Sequence, residues 1–468
     1  MKKQLHFIII ALIITISFSA CQKETILYAE QGEQYSGGET TFFNASRNAF
    51  SFSAPNLKGM EALQFTTGNS FFNQSWVTAV ASTTGRDGLG PLFNETACSG
   101  CHFKDGRGRT PEFGEVFGHG MLIRLSIPGT DANGGPLDEP IYGGQFSPGA
   151  INGINGEGNF EIHYVEEVGA YADGTTYSLR KPTYTFHDLA YGAMDNNVLI
   201  SPRVANQMVG MGLLDAIEIS AIEAYIDEQD LDADGISGKA NYVYNQETHT
   251  MDLGRFGWKS GHPNVRQQVA GAFVGDIGIT SSLFRNENHT NLQPDCQAAP
   301  NGNNSDGYEL DEQVLDRVEL YSSTLAVPGR RDWDDQEVLK GKALFLQANC
   351  QKCHVQKYTT GTHPKFSALS NQTIYPYTDL LLHDMGEGLA DNRPEFLANG
   401  QEWRTAPLWG IGLVETVNGH TEFLHDGRAR NLEEAILWHG GEGEASKEAF
   451  RKMSAEERQQ LILFVKSL

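Results

Sequence analysis

The spacing of apolar residues predicts helices in the last third of the chain. The segment DQEVLKGKALFLQ, residues 335–347, repeats apolar positions at helical intervals and leads into a cysteine pair. NLEEAILWHGG has the pattern of a short helix that a glycine pair stops. The final SAEERQQLILFVKSL opens with a capping box, Ser454 to Glu457, and continues with an apolar stripe. These segments predict a small helical domain at residues 331–468.

The region before residue 331 has a different pattern. From 122 to 200, short alternating runs are broken by glycines, which predicts short strands and loops. Two of its stretches nevertheless recur later: GPLFNETACSGCH resembles GKALFLQANCQKCH, and RVANQMVGMGLLDAI resembles RTAPLWGIGLVETV with one residue of slippage. Such repeats indicate two related modules in tandem. We therefore predict a mainly α fold with irregular loops and short strands, in which the first module, residues 61–330, is enlarged by insertions.

The first twenty residues have the pattern of an export signal. A basic start precedes the apolar run FIIIALIITISF, which is too short to span a membrane and is followed by two small residues. Cys21 comes next, as in the lipobox of bacterial lipoproteins. We predict a signal peptide at 1–20, an acylated Cys21 and a polar tether at 21–60, with ordinary signal cleavage as the alternative. The expected location is the bacterial cell envelope, lipid-anchored and facing the periplasm or the outer surface.

The charge of the chain limits its partners. Fifty-nine acidic residues against 35 basic ones give a formal charge of −24. Nucleic-acid binding requires basic surface that displaces counterions. We therefore expect no nucleic-acid partner, and either a solvated acidic surface or docking to basic proteins.

Two Cys-x-x-Cys-His motifs indicate the chemistry. The first contains Cys98, Cys101 and His102, and the second contains Cys350, Cys353 and His354. A thiol–disulfide switch gives the adjacent histidine no role. A zinc site needs further ligands at paired spacing, and the only other cysteines of the mature chain are Cys21 and Cys296. In haem attachment, the thiols add to the vinyl groups and the imidazole binds the iron. We therefore predict two haem c groups in two cytochrome c-like domains, with His102 and His354 as proximal ligands.

The segment DLDADGISGKAN has the pattern of the start of a calcium loop. Asp230, Asp232 and Asp234 stand at alternate positions before a glycine that permits a sharp turn. Ile236 offers its carbonyl oxygen, and the twelfth position is Asn241 in place of the usual glutamate. The loop is therefore not a complete EF-hand, and we favour a calcium site over an acidic turn without metal.

The sequence resembles the bacterial di-haem oxidoreductases that are grouped with peroxidases, some of which are labelled thiol oxidoreductases. The resemblance covers nearly all of the mature chain from about residue 85. Its segments include GLGPLFNETACSGCHFKDGRGR, SPRVANQMVGMGLLDAI, QTIYPYTDLLLHDMGEGLAD and FLHDGRARNLEEAILWHGGE. The resemblance implies an oxidoreductase that passes electrons between two haems and acts on a small molecule, such as peroxide, at the first.

The last of these segments is more distantly similar to the closing portion of di-haem cytochrome c peroxidases. His425 matches a turn histidine of those proteins, and His439 stands where they have an axial methionine. The resemblance implies that His439 binds the second iron opposite His354, and that a second histidine leaves that haem at lower potential. In those relatives a calcium ion lies between the haem domains. Competing ligands for the second iron are His383, His420 and Met385.

The distal ligand of the first iron is left open. Met208 lies within the repeated segment, and His119 lies near the place where the peroxidase relatives have a distal histidine. A vacant position is the third alternative, and it would admit a small ligand. Candidates to pair haem propionates are Arg107 and Arg109. Candidate bridges between the haems are Trp258 and Trp409, and candidate general bases are Glu95 and Glu115.

Three functions follow from these patterns. The leading one is a lipid-anchored di-haem enzyme whose partner is a small-molecule oxidant or a redox protein. The second is an electron-transfer cytochrome without catalysis, with both irons six-coordinate. The third is a haem-bearing accessory protein of a surface redox or metal-uptake system.

Overall fold

The computed structural model describes residues 26–468. The predicted signal peptide and Cys21 lie outside the described residues. No helix within the described range is long and apolar enough to cross a membrane.

The described part of the predicted tether is packed into the fold. Glu33 is fully buried and pairs with Arg330 at 2.9 Å. Further along, Thr41–Phe42 pairs in parallel with Val327–Pro328. The polar composition suggested a free linker, but a buried cation and a strand edge provide partners for it.

Helices and strands are interspersed along the described chain. The α-helices are α1 (Gly59–Asn73), α2 (Cys98–Cys101), α3 (Met211–Asp215), α4 (Ile219–Glu223), α5 (Val265–Ala272), α6 (Pro294–Gln297), α7 (Glu312–Ser323), α8 (Gln336–Gln347), α9 (Val414–Asn418), α10 (Leu432–Leu437), α11 (Glu444–Lys452) and α12 (Ala455–Ser467). The strands are β1 (Thr41–Phe42), β2 (Leu92–Phe93), β3 (Met121–Thr130), β4 (Pro136–Leu137), β5 (Gln145–Phe146), β6 (Gly149–Ala150), β7 (Asn159–Ala170), β8 (Thr176–His187), β9 (Leu199–Val204), β10 (Tyr242–Tyr244), β11 (Met251–Leu253), β12 (Val327–Pro328), β13 (Tyr358–Thr359), β14 (Thr373–Ile374), β15 (Leu382–Asp384) and β16 (Glu402–Arg404). A π-helical turn, Phe273–Ile277, continues α5. The fold is therefore mixed α and β: the predicted helices, irregular loops and short strands are present, but strands make up more of the chain than a mainly α fold implies.

Two β structures account for this difference. β7 and β8 form one long antiparallel hairpin, with Asn159 opposite His187 at its base and Ala170 opposite Thr176 near its tip. β3 lies between β9 on one side and β4 and β5 on the other. The alternation and glycines between 122 and 200 predicted short strands here, but strand pairing extends them well beyond the predicted length.

The helices predicted near the carboxyl end correspond to α8, α10 and α12. Asp335 caps α8, since its carboxylate accepts from the amides of Glu337 and Val338. Ser454 and Glu457 form the predicted capping box of α12. α8 and α12 cross closely at Gly341, which has no side chain. A Cβ at this position would overlap the backbone oxygen of Gln460.

A similar helix pair flanks the first cysteine motif in the sequence, with α1 before it and α7 after it. α1 packs on α7 where Gly68 meets the backbone of Arg317. Phe72 of α1 lies 6.2 Å from the ring of His102, the separation that Phe345 of α8 keeps from His354. Phe72 is thus the counterpart of Phe345.

The sequence repeat had aligned Phe345 with Phe93 instead. Leu92–Phe93 is strand β2, which pairs with Gly149–Ala150 and belongs to no helix. Identical spacing from the cysteines therefore does not mark equivalent structure, since an insertion separates α1 from the first motif.

The apolar cores join residues from both sides of residue 330. One cluster includes Leu213 and Phe273 together with Tyr358 and Leu413. A second cluster joins Trp258 with the helices of the carboxyl-terminal part. The two modules are thus packed through shared cores, which brings both cysteine motifs toward the same interior.

Candidate functional site

A cavity of about 630 Å³ lies between the two modules. Its wall includes all six residues of the motifs: Cys98, Cys101, His102, Cys350, Cys353 and His354. The two motifs, which are far apart in sequence, therefore face one continuous interior space.

The first motif begins with a single helical turn, α2, that directs its histidine inward. The Nδ1–H of His102 donates to the backbone carbonyl of Asn206, 2.8 Å away. This bond selects the tautomer in which Nε2 has the free lone pair. Burial lowers the pKa of His102, which keeps the ring neutral and able to bind a metal.

The second motif has the same arrangement. The Nδ1–H of His354 donates to the backbone carbonyl of Tyr377 at 3.0 Å. Burial, followed by the proximity of His439, lowers the pKa of His354 to about 4. Nε2 of His354 is therefore also a neutral donor atom.

The cysteines of the two motifs are not suited to thiol chemistry. None of the cysteines within the described range forms a disulfide. Burial raises the pKa of Cys98 and of Cys350 to about 12, so neither is a reactive thiolate. Half-buried thiols that form no disulfide, beside a neutral imidazole, fit the attachment of a haem by thioether bonds.

His439 lies close to His354 in the cavity wall. Its Nδ1–H donates to the backbone carbonyl of Ala435 at 2.8 Å, which leaves Nε2 free. Gly443 makes room for the ring, since a Cβ there would lie 3.0 Å from the Cβ of His439. His354 and His439 therefore each present a free imidazole nitrogen in the wall of the same cavity.

Two of the competing histidines have both ring nitrogens engaged. His383 lies between two carboxylates, with Nδ1 2.6 Å from Glu442 and Nε2 2.8 Å from Asp379. His420 donates from Nε2 to the carbonyl of Arg107 and accepts at Nδ1 from the amide of Glu422. Met385 lines the cavity without such bonds. Of the three imidazoles, His439 alone keeps a free nitrogen.

His383 also belongs to the one cysteine-containing cluster with metal-ligand spacing in the described chain. Cys353, Asp379 and His383 offer ligand atoms within 4.8 Å of one another. Both imidazole nitrogens of His383 already bind carboxylates, and the Cys353 thiol lies 3.5 Å from Nδ1. Asp379, followed by Cys353, raises the pKa of His383 well above 6.5 against the effect of burial, so the ring is a cation rather than a zinc ligand.

The two candidates for the distal ligand of the first iron lie in different places. Met208 lines the cavity and lies two residues beyond Asn206, the acceptor for His102. His119 is not part of the described wall, and both its nitrogens are engaged, Nδ1 by the amide of Met121 and Nε2 by the carbonyl of Val116. His119 is therefore held away from the site.

Sequence reasoning missed another histidine in the wall. His262 is half-buried and lines the cavity, and its Nδ1 atom is buried without a partner. Burial lowers its pKa to about 4, so it is neutral. The only sequence signal is its position after the glycine-rich segment GRFGWKSG, which did not distinguish it from a packing residue.

Three aromatic rings connect the surroundings of the two motifs. His425 stacks on Trp403, with ring centroids 3.8 Å apart, and contacts Trp258 edge-on at 6.5 Å. Trp258 donates from Nε1 to the carbonyl of Val204, two residues before the acceptor for His102. Trp403 lies opposite His383 in the antiparallel pair of β15 and β16, and Nδ1 of His383 lies 3.5 Å from the sulfur of Cys353. We call Trp258, His425 and Trp403 the aromatic bridge.

Trp409, the other predicted bridging tryptophan, has a packing role. It is fully buried against Gly210, where no side chain larger than hydrogen fits. It also lines the cavity. Which tryptophan lies next to the second motif thus depends on the register of β15 with β16, and the sequence alone did not reveal that register.

The charged candidates near the first motif occupy different places. Arg107 lines the cavity, donates to the backbone of Glu422 and lies 5.3 Å above the ring of Trp258. Arg109 lies outside the described wall and donates from both terminal nitrogens to Glu115 at 2.7 Å. Glu115 is thereby a surface ion-pair partner, with a pKa lowered to about 2 mainly by that bond.

Glu95 remains in the wall of the cavity. Its carboxylate accepts from the amide of Gly118. Burial raises its pKa, which makes it more easily protonated than an exposed glutamate.

The acidic loop differs in part from the predicted calcium ligands. Asp227, Asp230 and Asp232 bring carboxylate oxygens within 4.8 Å of one another. Asp234 pairs with Lys352 of the second motif at 2.7 Å.

Asn241 lies apart from these carboxylates. Its amide group donates to the carbonyl of Lys259 and its oxygen accepts from the amide of Leu397. The side chain of Asn241 is thus hydrogen-bonded to backbone groups elsewhere. Asp227, which the sequence pattern had not included, contributes the third carboxylate of the cluster. For Ile236, the backbone amide donates to Asp234.

The family model described as "Di-haem oxidoreductase, putative peroxidase" matches residues 30–121 and 149–468. A comparison with curated proteins found no match. A solved chain of hydrazine synthase from Kuenenia stuttgartiensis, pressurised with xenon, is 13% identical and is covered over 92% of its length and 86% of this one, with a TM-score of 0.31. The family match spans most of the chain and includes both motifs, and the protein therefore belongs to the di-haem oxidoreductase family.

Proposed function

We propose that this protein is a c-type di-haem oxidoreductase that moves electrons between its two haems through the aromatic bridge. The observation that supports this most directly is that both Cys-x-x-Cys-His motifs line one cavity and that the bridge is bonded near each of them. Bound haem supplies a reversible one-electron couple at iron. The chain supplies the attachment, the axial imidazoles and the contiguous rings between them.

At the second motif, the proposed axial pair is His354 and His439. Each ring uses Nδ1–H to donate to a backbone carbonyl, so each Nε2 is free and its orientation is fixed. Two imidazoles leave no vacant position, which suits electron transfer rather than substrate binding. We assign the second haem the role of relay.

At the first motif, we propose that a small molecule is reduced. His102 is the proximal ligand, and Met208 is the remaining candidate for the distal position, with vacancy as the alternative. His262 is a neutral imidazole in the same cavity with an unpartnered nitrogen. Such a group can accept a proton from a substrate, as general acid–base catalysis requires.

The two modules are proposed to be cytochrome c-like domains that share a core, with residues 61–330 and 331–468 as their extents. The equivalent placement of Phe72 beside His102 and of Phe345 beside His354 supports this division. The matching close crossings of α1 with α7 and of α8 with α12 support it as well.

From the sequence patterns we also propose a lipid anchor, a location in the cell envelope and a bound calcium ion. Acylation of Cys21 would hold the protein at a membrane surface, where a redox partner protein or a soluble oxidant reaches it. A calcium ion would bind at Asp227, Asp230 and Asp232 and would stabilise the loop that contacts Lys352.

The decisive experiment is production of the exported protein in a host that attaches haem c. Intact mass should exceed that of the bare chain by two haems, and the Cys98→Ser, Cys101→Ser double variant should lose one of them. EPR of the oxidised protein should give one low-spin bis-histidine signal that the His439→Ala variant lacks. Unmodified thiols and no haem would overturn the proposal, and two low-spin haems in every redox state would favour the non-catalytic cytochrome.

A further inference from the structure

Three arginines line the cavity close to one another. Arg124, Arg203 and Arg393 all belong to its wall. Burial tends to raise the pKa of their common neighbour Glu395, yet the three guanidinium groups hold that pKa well below its ordinary range. A single carboxylate thus interacts with three cations.

Strand pairing explains why two of these arginines are neighbours. Arg124 lies in β3 opposite Ser201 of β9, and Arg203 lies two residues further along β9. Side chains two residues apart in a strand point to the same face, so Arg124 and Arg203 share the face toward the cavity. Ile123 and Leu125, at the alternate positions, pack into an apolar cluster behind it.

Some N–H donors of these guanidinium groups have no hydrogen-bond acceptor. Arg203 and Arg393 both donate to the same oxygen of Glu395, at 2.7 and 2.9 Å. The Nε of Arg393 is buried without a partner. The guanidinium of Arg124 makes no hydrogen bond to any residue within 26–468. Arg124 is half-buried, so its donors face the open cavity rather than protein acceptors. The buried Nε of Arg393 has lost its water without gaining an acceptor, which is unfavourable for a charged group.

The acidic side chains nearest to Arg124 do not provide those acceptors. Asp276 and Asp138 interact with it electrostatically only. Burial raises the pKa of both carboxyl groups, and Asp276 instead accepts from Gln145 at 2.9 Å.

Arg124 lies on the side of the cavity that belongs to the first motif. Its guanidinium packs against Gly275, where a Cβ would be 3.7 Å from the nearer nitrogen. Gly275 precedes Asp276, whose charge acts on both His102 and Cys101. Any anion bound by Arg124 would therefore lie beside a group attached at Cys98, Cys101 and His102.

We propose that Arg124, together with Arg203 and Arg393, is a binding site for carboxylate groups beside the first haem. Guanidinium groups bind carboxylates through two parallel N–H···O bonds, which would supply the acceptors that Arg124 and Arg393 lack. The carboxylates belong either to the propionates of that haem or to a small carboxylate that enters from solution. The inference rests on haem attachment at the first motif, and haem content is measured separately in its test.

The test compares Arg124→Gln with the control Arg109→Gln in haem-loaded protein. Arg109 is also an arginine close to the first motif in sequence, but it pairs with Glu115 and is not among the residues that line the cavity. Pyridine haemochrome first establishes two haems per chain in each sample. Absence of covalent haem from the unmutated protein contradicts the function proposed above, whereas two haems in every sample with no effect of Arg124→Gln contradict only the present inference.

Two readouts separate the sources of the carboxylate. If propionates occupy the site, Arg124→Gln shifts the propionate bending mode in resonance Raman spectra and lowers the midpoint potential of the first haem, while Arg109→Gln changes neither. If a solution carboxylate occupies it, added formate perturbs the spectrum of the first haem saturably, and Arg124→Gln weakens that binding by about ten-fold or more. Arg124→Lys keeps the charge and should restore part of either effect.

The proposal is overturned if Arg124→Gln matches Arg109→Gln in the propionate mode, the potential and the formate titration. Should Arg124→Gln fail to mature while Arg124→Lys retains two haems, charge at this position is required for haem retention, which supports the propionate source. Should both fail, Arg393→Gln takes their place with the same outcomes, because its Nε is the other unpartnered donor.

Discussion

The imidazole ring of His425 lies 3.8 Å from the indole ring of Trp403, and the two planes are inclined by only 11°. Burial lowers the pKa of His425 to about 4, so the stacked ring is neutral near pH 7. His425 also meets Trp258, and the backbone amide of Val204 donates to the carbonyl of His425 while its own carbonyl accepts from Trp258. The three rings are therefore held in register by backbone bonds as well as by stacking.

Replacing Trp403 with leucine should slow electron transfer between the haems, because it removes the ring that lies nearest the second motif. The rate can be followed after flash photolysis of carbon monoxide from half-reduced protein. Trp438→Leu is a matched control, since Trp438 is similarly buried, packs under Arg428 and is not part of the cavity wall. Equal slowing in both variants would show that the bridge has no special role.

Replacing His439 with methionine should raise the midpoint potential of the second haem, because a thioether favours the reduced iron more than an imidazole does. Spectroelectrochemical titration measures the change, and haem content should stay at two. His420→Met is the control, since both nitrogens of His420 are bonded to the loop around Arg107 and Glu422. An unchanged potential in His439→Met would remove His439 from the ligand set.

Replacing Gly341 with alanine should destabilise the fold by about 1–3 kcal/mol, because the new methyl group would force α8 away from α12 at Gln460. The thermal unfolding midpoint of the haem-loaded protein gives the measure. Gly85→Ala is the control, since a Cβ at Gly85 meets no atom within 4 Å. Similar midpoints for the two variants would contradict the close crossing.

The His383 cluster should make stability depend on pH. Despite burial, the carboxylate of Asp379, followed by the sulfur of Cys353, raises the pKa of His383 well above the unfolded value of 6.5. The unfolded chain therefore releases this proton first, so the stabilisation is complete below pH 6.5 and declines as pH rises toward the folded pKa. Chemical unfolding at several pH values should show this decline in the native protein.

The matching variant is His383→Gln. It should lose about 3–5 kcal/mol below pH 6.5, because the buried carboxylate of Asp379 loses its cation, and its stability should vary less with pH above that value. His163→Gln is the control, since His163 is exposed on the β7–β8 hairpin. A native-like pH profile in His383→Gln would contradict the cluster.

Local patterns predicted the carboxyl-terminal helices, their caps and the two motifs, because each of these depends on residues a few positions apart. The same patterns failed where pairing is long-range. The hairpin of β7 and β8 is longer than its alternation suggested, and Phe72 rather than Phe93 occupies the place beside the first histidine. His119 and Asn241 had suitable chemistry but were bonded to other backbone groups.

The sequence by itself determined that two Cys-x-x-Cys-His motifs are present, since their chemistry requires only adjacent residues along one chain. Tertiary structure alone decided what surrounds them. His262, Arg124 and the aromatic bridge come from separate segments, and they meet at one cavity through strand register and a shared core. Burial then sets their charge, because removing water changes which protonation state each side chain holds.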